Sequence, residues 1–116
     1  MISTDLLTRL QKADNVTWER VCQTAVGEYE SFDEDGFEVK YTVSYEELFD
    51  DAKEAWLQHC LQEAIRARGW WYQIATGYRG VIQAQVYCSE NGLHKGNTEA
   101  EALGWAYLAA IEAIRP

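Results

Sequence analysis

Apolar residues recur along this chain at two periods, one near 3.6 and one of 2, and the switches between them mark its elements. Leu6, Leu7, Leu10 and Ala13 stand at helical spacing and predict a short helix over residues 4–13, with Ser3 or Thr4 to cap it. The polar pair Asp14-Asn15 ends that helix. Val21, Cys22, Ala25 and Val26 predict a second one over 17–26, closed by Gly27. The period then changes to 2. Phe37, Val39, Tyr41 and Val43 alternate with Glu38, Lys40 and Thr42, so residues 28–43 predict a β-hairpin turning at Asp35-Gly36.

Helical spacing returns after Ser44. Ser44 and Glu47 have the spacing of a capping box, and a helix is expected from there to about Arg68, where Gly69 stops it. Its apolar positions include Leu48, Phe49, Ala52, Ala55, Trp56, Ala64 and Ile65. Two strands follow, Trp70 to Ala75 and Val81 to Cys88, joined through Gly77-Tyr78-Arg79-Gly80. On the second, Ile82, Ala84, Val86 and Cys88 share one face, which is expected to pack on helices. Ser89 to Asn97 reads as a polar loop. Thr98 and Glu101 form a second capping box, and Ala100, Leu103, Tyr107, Ala110, Ile111 and Ile114 run as a helical stripe to the C-terminus. Gly104 within that helix is expected to permit a close approach. These elements predict one small α+β domain over residues 1–116, with helices packed on an antiparallel sheet of three to five strands.

Composition narrows the picture. The chain has 116 residues, 47% of them hydrophobic and 25% charged, which is ordinary for a globular domain. Its one proline is the last residue, and no Gly/Ser/Pro-rich linker offers a place to divide it. No run without a charge is longer than Gly69 to Tyr78, too short to span a bilayer. The first ten residues lack the basic and apolar regions of a signal peptide, so a cytoplasmic location is expected. Cys22, Cys60 and Cys88 are odd in number with no C-x-x-C, which points to free thiols. A metal site from His59, Cys60, Cys88 and His94 is disfavoured, because His59 and Cys60 are neighbours on a helix and point about 100° apart.

The net charge is -9, and it is concentrated. Residues 28–54 hold eleven acids against Lys40 and Lys53, so that segment alone accounts for the whole of it. Direct binding to a phosphate backbone needs clustered Lys/Arg and is therefore disfavoured. Such a field attracts a basic partner instead, including a protein that itself binds nucleic acid. The stretch D-E-D-G resembles the start of a calcium loop. With Gly36 at position six, however, Ser31 and Thr42 fall at positions one and twelve, where carboxylates are needed.

Beyond the individual elements, Y-T-x-S at Tyr41 to Ser44, Gly69-Trp70-Trp71 leading a strand, and the terminal T-E-A-E-A-L-G with A-Y-L-A-A-I-E-A occur in this order. By these features residues 41–116 resemble the phage ABA-sandwich domain family. In that family the last helix opens on a Thr-x-x-Glu/Ala cap and continues as an alanine-rich run. The resemblance implies a phage or prophage origin; it brings no catalytic residues and no cofactor. A double-stranded RNA-binding domain has a similar element order but needs lysines at the start of its last helix, where this chain has Glu99 and Glu101.

Catalysis is not expected. His59 and His94 belong to no recognisable nucleophile–base arrangement, and Gly92 to Thr98 lacks the spacing of a phosphate-binding loop. Two binding surfaces are expected instead. The first is an acidic face, with Asp33, Glu34, Asp35, Glu46, Glu47, Asp50 and Asp51 meeting the Lys/Arg of a basic host protein in place of phosphates. With the phage resemblance, the expected function is non-enzymatic inhibition of a host defence factor in the host cytoplasm. The second is a pocket of Trp70 or Trp71 with Arg66, Arg68 and Arg79, suited to a nucleotide by stacking and phosphate pairing. On the last helix Ala102, Trp105, Ala106 and Ala109 lie off the main stripe. They predict a flat patch and a homodimer contact at Trp105.

Overall fold

The computed structural model describes residues 2–23, 27–43, 45–87 and 92–114. Among them the element order is α1 (Thr4–Ala13), α2 (Asn15–Gln23), β1 (Gly27–Phe32), β2 (Glu38–Val43), α3 (Asp50–Ala67), β3 (Trp71–Thr76), β4 (Ile82–Tyr87), β5 (His94–Gly96) and α4 (Glu99–Ala113). Short 3-10 turns occupy Tyr45–Glu47 and Tyr78–Gly80. The strands form two antiparallel sheets, the hairpin β1-β2 and a three-stranded sheet in the order β3-β4-β5. This is the expected α+β class.

α4 is the centre of the fold. It lies on β4 and β5 and also packs against α3 and α1. Ten of its residues are buried, on every side of the helix, which its alanines allow by letting neighbours come close. Tyr107, Leu103 and Leu108 meet Leu6 and Leu10 of α1, Leu57, Leu61 and Ile65 of α3, and Ala84 and Val86 of β4 in one core. Gly104 lets Leu6 come close: a Cβ on it would stand 2.8 Å from Leu6 Cδ2. Thr98 caps α4 as its spacing predicts, its Oγ1 accepting from the Glu101 N–H at 3.2 Å. Ala102 and Ala106 are fully buried within the chain, so the flat patch expected around Trp105 is not a surface. Trp105 itself lies half-buried beneath the Arg9 guanidinium, 5.5 Å from the ring centroid, and Arg9 also pairs with Glu112 at 3.0 Å.

Several boundaries differ from the sequence reading. α2 starts two residues early, because the Asp14 carboxylate accepts from the Thr17 N–H (3.2 Å) and Oγ1 (2.7 Å) and so caps it. Residues 24–26, including Ala25 and Val26, lie outside the described residues, as do Ser44 and Cys88. α3 does not run from residue 44 but begins at Asp50, after the 3-10 turn and an extended Phe49. Buried Tyr45 holds the chain in that turn, while Phe49 is 89% exposed. The buried stripe of α3 is therefore Leu57, Cys60, Leu61 and Ile65, and the expected Ala52 and Ala55 face solvent. β5 lies inside the expected polar loop. His-Lys-Gly carries no apolar alternation to announce it, and it is held by pairing with Ile82–Ala84.

α3 ends in a Schellman turn. The Trp70 N–H donates to Ile65 O at 3.1 Å and the Gly69 N–H to Arg66 O at 2.9 Å, with Gly69 at φ +74. That turn reverses the chain directly into β3.

The β1-β2 hairpin stands apart. Its strands pair with each other, from Gly27↔Val43 to Phe32↔Glu38, and residues 30–38 with Lys40 are exposed. At ~3.3 Å per residue its six pairs make an arm roughly 20 Å long. The molecule measures 59 × 37 × 24 Å, an elongated outline for so short a chain.

Candidate functional site

The arm is built from its turn outward. Asp33 Oδ1 accepts from the N–H groups of Asp35 (3.0 Å) and Phe37 (2.8 Å), and the Asp33 N–H donates to Phe37 O at 2.9 Å. Gly36 at φ +83 supplies the left-handed step. One of the expected partner-binding acids, Asp33, is thus also the residue that makes the turn. Glu34 and Asp35 project at the tip beside Phe37 (69% exposed) and Phe32 (73% exposed). The exposure of these two phenyl rings was not foreseen from the alternation, which predicts a half-buried strand. Lys40 sits opposite Glu30 in the register, 3.9 Å away.

Glu46 and Glu47 belong to the 3-10 turn, and Asp50 and Asp51 to the first turn of α3, all four exposed. The arm separates them from Asp33, Glu34 and Asp35 by roughly its own length, ~20 Å. The structure therefore divides the expected single acidic face into two clusters, one at the tip of the arm and one beyond its base.

The aromatic and arginine residues are only partly brought together. Trp70 packs on the core and Trp71 is 77% exposed, so the two tryptophans do face apart. The Arg68 guanidinium lies 5.2 Å from the Trp70 ring centroid and donates to the Tyr107 hydroxyl at 3.3 Å. Arg66 lies 5.8 Å from the Tyr72 centroid and donates to its hydroxyl at 3.1 Å. Arg66, Gly69, Trp70, Trp71 and Tyr72 line a cavity of about 360 Å³. Arg79 is not part of it. It sits in the 3-10 turn at the opposite end of the β3-β4 ladder, at φ +66. Arg68 is turned inward, toward Tyr107 and Asp14, rather than toward a ligand.

Behind Arg68 lies a polar cluster. Asp14 accepts from Thr17 and from the Tyr107 hydroxyl, which donates to Oδ2. Burial by itself would raise the Asp14 pKa; the bonds from Tyr107 and Thr17 and the charge of Arg68 outweigh it and hold the carboxyl below 3.8. Burial, then the bond to Asp14, pushes Tyr107 up.

A second cavity, of about 340 Å³, is absent from the sequence reading. It opens between α1, Trp18 of α2, the 3-10 turn at Tyr45 and the start of α3. Trp18 and Tyr45 meet edge to face, with centroids 6.4 Å apart and planes at 70°. Glu46, Asp50 and Glu54 lie along its wall, and Lys53 holds its ammonium 5.4 Å from the Tyr45 centroid. The i, i+4, i+8 spacing of these three acids is the one sequence signal that places them together. No sequence signal ties them to Trp18.

The described histidines and cysteines are spread over α2, α3 and β5. His59 Nε2 is 2.8 Å from Glu63 and the ring stacks on Trp56 at 5.5 Å. Cys60 is buried in the core, His94 is part of β5, and burial pushes the thiols of Cys22 and Cys60 up. No family model matches the chain, and no curated protein or solved structure is similar to it.

Proposed function

We propose that the chain is a non-enzymatic binding protein. It engages a basic, nucleic-acid-binding surface of a host protein, its carboxylates taking the place of phosphates. The observation that carries this reading is the arm, a hairpin whose outer part, residues 30–38, is exposed and displays Glu34, Asp35, Phe32 and Phe37 to solvent. A two-stranded hairpin is marginal on its own in water, and a partner that covers these rings would complete it. Carboxylates around an apolar anchor suit a basic cleft, with the charges steering the encounter and the rings holding it. The resemblance of residues 41–116 to a phage family makes a host defence factor the target class and the host cytoplasm the place.

The test is capture from bacterial lysate on the immobilised chain, followed by elution with duplex DNA. A captured protein that itself binds DNA, is displaced by DNA, and is lost with the double variant Glu34→Lys, Asp35→Lys supports the reading. A protein retained equally by the double variant removes it.

A nucleotide-binding reading has one observation in its favour, exposed Trp71 at the mouth of a cavity beside Arg66. A thermal-shift panel of mono-, di- and cyclic nucleotides decides it. A ligand that raises the Tm of the parent chain but not of Trp71→Ala supports this site.

A further inference from the structure

We propose that the cavity between Trp18 and Tyr45 is a receptor for one cationic side chain, the guanidinium or ammonium of an arginine or lysine presented by the partner. The proposal rests on the basic-partner reading above and adds to it a defined point of capture, distinct from the arm.

Three observations converge on a cation. The walls are two aromatic rings set edge to face, so a group entering between them meets one ring's negative face, the surface that attracts a cation. Glu46, Asp50 and Glu54 line the same opening, and their charges, after burial and Cys22, are among the causes that push Tyr45 up to about 12. The carboxylates therefore make their field felt at the ring itself. Finally, the chain already places a cation there: the Lys53 ammonium lies 5.4 Å from the Tyr45 centroid. A lysine tethered to α3 shows the kind of group this position accepts. Buried Ile2 and half-buried Leu7 on the α1 side give the methylene stem of an incoming side chain an apolar surface.

The cavity, at about 340 Å³, falls within the volume range of small-ligand sites. Among the described residues that line it, Lys53 is the one cation, so an arriving cation takes the place of the resident one. Lys53 is in this sense a built-in competitor, and its removal has a predictable sign.

The experiment uses the full chain and needs no partner. Nα-acetyl-argininamide and Nα-acetyl-lysinamide are titrated at constant ionic strength while the Trp18 indole N–H is followed by NMR. Nα-acetyl-citrullinamide, uncharged and nearly the same shape as the arginine probe, is the control. The expected result is a saturable Trp18 shift with either cation and none with citrulline. Lys53→Met should tighten binding at least threefold. Glu46→Gln combined with Asp50→Asn should weaken it at least threefold without lowering the Tm, since both side chains are exposed. A non-saturating response, an equal response to citrulline, or unchanged affinity in Lys53→Met overturns the proposal. Capture and probe binding, both measured on the parent chain, separate the two readings. Probe binding by the parent chain, alongside that chain's failure to capture a DNA-displaceable protein, leaves the cavity as a cation site and removes the partner reading. The opposite pair of results removes the cavity alone.

Discussion

Asp14 serves two elements at once. It caps α2 through Thr17 and anchors Tyr107, the largest fully buried side chain of the core. Asp14→Ala removes the cap and leaves the Tyr107 hydroxyl without its carboxylate, for a loss of about 2 kcal/mol at neutral pH by urea unfolding. The folded chain holds this carboxyl below its ordinary 3.8, so the unfolded chain takes up the proton first as pH falls. The stability it supplies is complete above that value and is lost as pH drops through the lower folded one. The gap between parent and Asp14→Ala should therefore narrow below about pH 4. At the alkaline end the sign reverses. Tyr45 is pushed up to about 12 and Tyr107 is also raised, so their contribution is complete below pH 10 and fades above it. A phenolate absorbance titration should show tyrosines ionising later than the ordinary value. Two glycines give a further contrast. A Cβ on Gly96 would meet the backbone N of Ala102, whereas one on Gly104 meets the end of the Leu6 side chain. Leu6 can shift and the α4 backbone cannot. Gly96→Ala should therefore lower the Tm clearly more than Gly104→Ala, which also regains ~1 kcal/mol of helix propensity.

Among the elements, the arm and the helices answer to different rules. Replacing residues 30–40 by a short glycine link between Tyr29 and Tyr41, which already face each other in the register, should leave the Tm of the body within a few degrees. The same deletion should abolish capture of a DNA-displaceable partner. Elements were legible in the sequence where local chemistry decides them. Ser3 and Thr98 cap where their spacing says, Gly69 closes α3, and Ala84 with Val86 turns inward as the alternation requires. They were illegible where a distant contact decides. Tyr45 is buried by α2 and α3, which delays the helix to Asp50, and no pattern within residues 44–50 contains that information. β5 exists because β4 offers it an edge. The binding sites follow the same division. The acids were readable as a run, but their separation by the arm and the union of Trp18 with Tyr45 belong to tertiary structure.

At the scale of the molecule, outline and charge act together. A chain of this length folded compactly has a radius of gyration near ~13 Å. The observed 16.5 Å reflects the arm. Small-angle scattering should show the radius falling toward the compact value when the arm is deleted. A negative projection of this kind senses a basic surface before the bodies touch, so association with such a surface should slow steeply as salt rises from 0.05 to 0.5 M. The two acid clusters, one at the tip and one past the base, also ask for a partner whose basic groups extend over roughly 20 Å, the length of the arm between them.

Because the outer part of the arm, residues 30–38, is exposed, its sequence can change without the body registering it. Folding and recognition are inherited on separate stretches of the same chain, and a substitution that alters one leaves the other as it was. A library randomised at Phe32, Glu34, Asp35 and Phe37 would pass through expression almost unfiltered, so that selection acts on binding alone. The same independence would let a lineage carrying this protein follow a changing target by editing a handful of positions while keeping the fold it already has.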